Sequence, residues 1–411
     1  MISDLPDDIL VQILLLVPTK DAVATMILSK RWLSIWTMIP TLVYKDSNDI
    51  NDGEQKSVWQ FLDKSLKQHK APVLERIVVQ LGQQCPVDED VGKWIANAID
   101  RKVRILSFEL NWSAKPIKVP TRLYTCDTLV RLNLTNKILV DVASPACLPS
   151  LTWLSLNSVV YEDEDSLVGL LSSCPILKIL VVRRHIEDNV TNFKVKVSSL
   201  ESLTYDNLNA YGRADIKGSL VIDSPALKKI SIWDSMRESC SIENTPLLSK
   251  ACILVKFCTT TNFSQLVECR IQPYDCDWLE PLMALLQNSP KLKLLLIDQS
   301  LSMIKDWPLS WNRPCSVPTC MLSHLEIFEW KEYGGGGEEK ELVRYILGNS
   351  KYLKIVSISV NSTCNLEDKE KMIDELKSMP MMSQSSDLMF KTRILQDNYD
   401  VQIFDFISIV I

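Results

Sequence analysis

The stretch "LTWLSLNSVVY" (Leu151–Tyr161) decides how this chain is to be read. Leu151, Leu154 and Leu156 follow an L-x-x-L-x-L spacing. The last two are two residues apart, so on a strand they point to the same side. One such strand cannot bury that side alone, whereas a stack of neighbours shares one core. Related runs begin at Leu74, Val103, Leu129, Leu177, Leu200, Leu227, Leu266, Leu292, Leu322 and Leu353.

Successive starts lie about 22 to 39 residues apart, near the period of leucine-rich repeats. Helical pieces fall between the strands. "SLVGLLSSCP" (Ser166–Pro175) sets Leu167, Leu170 and Leu171 on one face, and "WLEPLMALLQNSP" (Trp278–Pro290) does the same with Leu282, Leu285 and Leu286. "VGKWIANAID" (Val91–Asp100) buries Val91, Trp94, Ile95, Ala98 and Ile99 by the same period. The fold class is therefore α/β, an irregular solenoid of parallel strands with helices and turns; an ordinary α/β sheet is the alternative. "GGGG" (Gly334–Gly337) reads as a floppy turn before the amphipathic helix "EEKELVRYIL". Asn365 caps a further helix through Lys377, ended by Pro380, after which the repeat pattern is lost.

The chain opens differently, with "LPDDILVQILLLVPTKDAVATMILSKRW" (Leu5–Trp32). Ser3 or Asp4 can cap a first helix, Thr19 a second and Ser29 a third. Each is too short to be stable alone. Together they hold more apolar surface than three such helices can hide among themselves, which marks a partner surface. The polar run "KDSNDINDGEQK" (Lys45–Lys56) separates this segment from the repeats.

Composition narrows the function. With 411 residues the chain is longer than one ordinary domain. The formal net charge is -6 and the basic residues are scattered, which speaks against nucleic acid as a partner. The 12 Cys form no C-x-x-C pair and the 3 His stand apart, so no metal site is expected and the thiols read as reduced. No signal peptide or apolar run of membrane-spanning length is visible, and cytoplasm and/or nucleus is the expected location. No nucleotide-binding, hydrolase or zinc-protease pattern occurs, so no catalysis is expected. The acidic run Glu162–Asp165 reads as a solvated loop, or as a contact for a basic partner.

The first segment resembles an F-box in its plant form. The match rests on Leu5-Pro6, Ile9-Leu10, Pro18-Thr19-Lys20-Asp21 and Leu28-Ser29-Lys30-Arg31-Trp32, in that order. A second segment, Trp311–Pro380, resembles the FBD region that closes many plant F-box proteins with leucine-rich repeats. The resemblance implies an F-box at 1–44, a linker and helix at 45–72, repeats at 73–310, an FBD region at 311–380 and an atypical tail at 381–411. It also implies a non-catalytic substrate receptor of an SKP–cullin–F-box ubiquitin ligase. The F-box docks the SKP adaptor, and through it cullin and a RING subunit, while the repeats select a protein target. Carried over by position, the adaptor contacts are Leu5, Pro6, Ile9, Leu10, Pro18 and Trp32, while Leu14, Val23 and Ile27 are assigned to the internal core. Candidate target contacts are the aromatics Trp153, Tyr205, Trp233 and Trp330, for which packing between repeats is the competing reading. No cofactor is implied: some relatives use a small-molecule or inositol phosphate cofactor, for which Arg183-Arg184 alone is slight support. A repeat scaffold acting outside any ligase is the other function the sequence leaves open.

Overall fold

Leu154 and Leu156 are fully buried in the strand Trp153–Asn157, which pairs in parallel with Arg131–Thr135 on one side and Ile179–Arg183 on the other. The computed structural model describes residues 2–46, 58–82, 91–111, 115–142, 145–184, 188–207, 218–234, 239–254, 263–273, 278–300, 314, 316–362, 364–383 and 387–391. These form two units that meet in sequence at Leu227 and Lys228.

In the first unit the strand order is Thr41–Lys45, Arg76–Leu81, Ile105–Leu110, Arg131–Thr135, Trp153–Asn157, Ile179–Arg183, Ser202–Asn207, every pair parallel. Register places Leu42, Ile77, Leu106, Leu132, Leu154, Leu180 and Leu203 in one inward row. A second inward row runs from Tyr44 through Val79, Phe108, Leu134, Leu156 and Val182 to Tyr205. All these side chains are buried, so a one-residue slip would turn both rows to solvent. The helix Val91–Asp100 buries the five residues read from its period. The helix Glu164–Ser172 buries Leu167, Leu170 and Leu171.

The second unit repeats the plan with Lys229–Asp234, Lys250–Leu254, Glu268–Gln272, Leu294–Asp298, Ile327–Tyr333, Ile355–Val360 and Asp387–Lys391. Its inward row includes Ile232, Ile253, Ile271, Ile297, Trp330 and Ile358. Lys250–Leu254 lacks the L-x-x-L-x-L spacing, because Ala251 stands at the inward position that Ile230, Leu295, Phe328 and Val356 hold in other strands. Asp387–Lys391 shows that the stack continues past Pro380; residues 392–411 lie outside the described residues.

Three local expectations change. Pro6 and Pro18 take the N-cap positions of the first two helices, and their carbonyls accept the opening hydrogen bonds. Ser29 does hold the third cap position, without a side-chain bond. The glycine turn is tied rather than floppy: the Glu339 carboxylate accepts from the Gly334 and Gly336 amides at 3.1 and 3.2 Å. Gly335 has φ +74, and a Cβ there would stand 2.9 Å from the Met372 sulfur, so only glycine fits. The acidic run is a helix cap, with Asp163 accepting from the Ser166 amide and hydroxyl at 2.7 Å and Glu164 accepting from Thr191 and Asn192.

The N-terminal helices run directly into the sheet. The Thr37 carbonyl accepts from the Lys70 and Ala71 amides, and Pro40 from Arg76. Buried His69 bonds Ile39 O through Nε2 at 2.8 Å, while Arg101 approaches its Nδ1 at 2.6 Å and donates to the Leu66 and His69 carbonyls. Arg101 can only donate, so the Nδ1 it meets carries the lone pair and the imidazole is neutral with its proton on Nε2. Burial first, and the Arg101 charge after it, hold the ring down to about 4, against the pull of the Ile39 carbonyl.

Two outcomes follow. Leu154→Ala removes a fully buried side chain from the shared stack and costs about 2–5 kcal/mol, read as a lower urea midpoint. The His69 contribution is complete above its ordinary pKa of 6.5 and fades as pH falls toward about 4, where the unfolded chain takes a proton that the folded chain refuses. His69→Gln, which can still donate to Ile39 and accept from Arg101, flattens the fall of stability across that window in urea titrations at stepped pH.

Candidate functional site

The N-terminal unit is built from α1 (Asp7–Leu14), α2 (Thr19–Ala24) and α3 (Lys30–Ile35). Its own core is small. Leu10 and Leu14 sit one turn apart on the inner stripe of α1, Ala22 and Val23 face in from α2, and Trp32 and Ile35 from α3, beside Trp36. Leu10 at 0% and Trp32 at 7% exposure are therefore core residues, which corrects their expected place at a partner surface. The helical period explains it. The i, i+4 pair Leu10/Leu14 and the triplet Trp32/Ile35/Trp36 share inward faces, so Ile9 and Leu33 turn out.

The other expected contacts lie outside. Pro6, Ile9 and Pro18 are exposed and Leu5 is half-buried. Arg31 fixes that corner. Its guanidinium donates to the Leu5 carbonyl and to Asp7 Oδ1, the latter at 2.9 and 2.6 Å, so α3 holds the start of α1. The pairing is partly exposed and contributes position more than stability. Ile27, expected in the core, is 81% exposed. The chain leaves α2 for a tighter turn at Thr25–Ile27, and the change of pitch swings this side chain outward.

Residues outside the expected contacts complete the surface. Leu16 is 85% exposed, Leu28 64% and Leu33 50%, next to Val17 and Met26. Isolated exposed leucines are ordinary, but this many on some thirty residues is not. A count of apolar side chains left over after Leu10, Leu14, Trp32 and Ile35 are taken inward would have found them. Thr19 has a different part from the cap foreseen for it: its hydroxyl accepts from the Val43 amide at 2.8 Å.

The strand face pointing away from the core is the other candidate surface. Tyr205 and Trp330 are not on it. Tyr205 is buried with its ring 5.2 Å from Phe193, and Trp330 is buried with its ring 5.9 Å from Trp278. Both occupy inward register positions, so packing wins for them. Trp153 and Trp233 do hold outward positions, the first almost covered and the second half-buried. Arg184 is spent on Asp188 at 2.7 Å and on the Val190 carbonyl, so the Arg183-Arg184 pair is not a phosphate cradle. Among the described residues no cluster of His, Cys, Asp or Glu could hold a metal, and no helix is long and apolar enough to cross a membrane.

Comparison with known proteins agrees with this architecture at three places. Residues 2–44 match the F-box domain, 91–211 match the leucine-rich repeats of FBD-associated F-box protein At5g56370, and 313–358 match the FBD region. An Arabidopsis thaliana F-box/FBD/LRR-repeat protein, At1g22000, is 48% identical over 96% of this chain and 92% of its own length. Two further Arabidopsis thaliana F-box/FBD/LRR-repeat proteins are At3g49480, 44% identical over 92% of this chain and 93% of its own length, and At4g26340, 39% identical over 95% and 99%. With its helical N-terminal unit, its parallel repeat strands and these full-length likenesses, the chain belongs to the F-box/FBD/LRR-repeat family of plant proteins.

Proposed function

We propose that this protein is the substrate-recognition subunit of an SKP–cullin–F-box ubiquitin ligase, working in the cytoplasm and/or nucleus. The observation that carries the reading is the apolar surface of Ile9, Leu16, Val17, Ile27, Leu28 and Leu33, left uncovered by the chain's own core. An SKP-type adaptor covers it, and each such side chain fully buried adds roughly 1.5–3 kcal/mol. The adaptor brings cullin and the RING subunit. The strand face of the repeats holds the target, so that a target lysine is kept near the charged ubiquitin carrier. Proximity of this kind needs no catalytic group on the receptor.

The test separates surface from core. Full-length chain is co-expressed with a tagged SKP-type adaptor and captured on the tag. Ile9→Asp with Leu28→Asp abolishes capture while the circular dichroism spectrum and melting temperature stay put, because both residues are exposed. Trp32→Ala lowers the melting temperature, by about 3–5 kcal/mol of lost stability, because it empties the core of the three-helix unit. Undiminished capture of the double aspartate variant would sink the docking model.

A further inference from the structure

In the first unit several cations away from the outward strand positions pair with acids, Lys118 with Asp141, Arg122 with Asp100 and Lys196 with Asp223 at 3.6 Å. The outward face of the strands holds cations that do not. Its alternate positions carry Lys45, Arg76, Arg131 and Arg183 against the acids Glu109 and Asp206. Lys45, Arg131 and Arg183 have no ion-pair partner among the described residues. The chain as a whole has a formal net charge of -6, so this local excess of positive charge is not inherited from its composition.

What lies between Arg131 and Arg183 is neutral. The intervening strand presents Trp153, Ser155 and Asn157 outward, and the next presents Ile179 and Val181. The Asn157 side chain donates to Thr135 Oγ1 at 3.5 Å, and its oxygen is buried and accepts nothing. Trp153, Ser155 and Val181 are themselves nearly covered, so the open apolar ground is Ile179, flanked by Arg131 and by Arg183, which has Asp206 opposite it on the next strand. That pattern is complementary to a peptide with apolar and acidic side chains.

We propose that this face binds an extended acidic segment of the target protein, with two carboxylates flanking an apolar side chain. The proposal rests on the substrate-receptor reading and names the chemistry of its target. Arg131 opens its strand and Arg183 closes a strand two places along, four residues further up the register. At about 4.8 Å between strands and about 3.3 Å per residue, the two stand about 16 Å apart, so the carboxylates are about five residues apart in an extended chain. Each guanidinium offers a carboxylate a two-pronged, charge-assisted bond. The apolar side chain lies over Ile179.

The full chain, copurified with its SKP-type adaptor, is titrated into a fluorescein-labelled peptide carrying two glutamates about five residues apart around a central leucine. The same peptide with glutamines serves as the control. Anisotropy should show the glutamate peptide binding at least about tenfold more tightly, with affinity falling as salt rises. Arg131→Glu with Arg183→Glu should abolish binding with an unchanged circular dichroism spectrum. Lys196→Glu, on the side strand Asn192–Lys196 outside this sheet, should leave it unchanged. Equal binding of the two peptides, undiminished binding by the double variant, or a like loss with Lys196→Glu would overturn the proposal, as would tighter binding of an oligouridine strand. Capture of the adaptor is scored on the same preparations. Adaptor bound with no preference for glutamate ends this proposal alone. A glutamate preference in full chain that fails to capture the adaptor supports the face and removes the ligase reading.

Discussion

Parallel pairing of Thr41–Lys45 with Arg76–Leu81 is the joint on which the first unit depends. Three helices of six to eight residues have little stability of their own. They gain it by continuing, without a flexible break, into the first strand of the repeat sheet. The strand in turn gains a cover. Its free edge would otherwise offer unpaired amides, and Thr19 of α2 takes the one at Val43. His69 and Arg101 add a buried clasp from the first helix-strand unit back to the Ile39 carbonyl. The F-box is thus the end cap of the stack as well as the docking surface proposed above.

The FBD region obeys the same rule. The segment matched at 313–358 supplies a helix at Thr319–Ser323 with the strand Ile327–Tyr333, then a helix at Gly337–Asn349 with the strand Ile355–Val360. These strands continue the register of Leu294–Asp298, so Ile297, Trp330 and Ile358 form one row. Structurally, the FBD region is the late part of the repeat series. Its own features lie at the loops. Register shifts between Trp330 and Tyr333, Glu332 takes a left-handed φ of 58, and Glu339 ties the glycine turn while its other oxygen receives Gln299.

Period and spacing revealed most strands of the main sheet in each unit, because an apolar row that must be buried leaves a two-residue mark at every repeat. They failed at Thr41–Lys45, at short side strands such as Asn192–Lys196, at Lys250–Leu254 with its small Ala251, and where the pattern is cut short, as at Asp387–Lys391. The surface of the N-terminal unit was harder to read. Leu10 and Trp32 stand at motif positions beside exposed ones such as Ile9 and Pro18, yet the helices take both of them inside. Leu16 and Leu33 carry no pattern beyond their hydrophobicity, and only the packing shows that they are left over. Aromatic type was equally silent about direction: Trp153 and Tyr205 look alike in sequence, and strand parity alone turns one outward and the other inward.

The shared strand has a consequence for how the protein can be cut and recombined. Trimming the chain after residue 45 strips Arg76–Leu81 of its neighbour and leaves a naked ladder rung, open to any passing β-segment. A truncated bait of that sort would gather spurious companions. Exchange of F-boxes among relatives meets the same obstacle, since a transplanted cap must bring a first strand whose side chains interlock with a foreign second one. The helices and the opening repeats therefore have to be moved as one block.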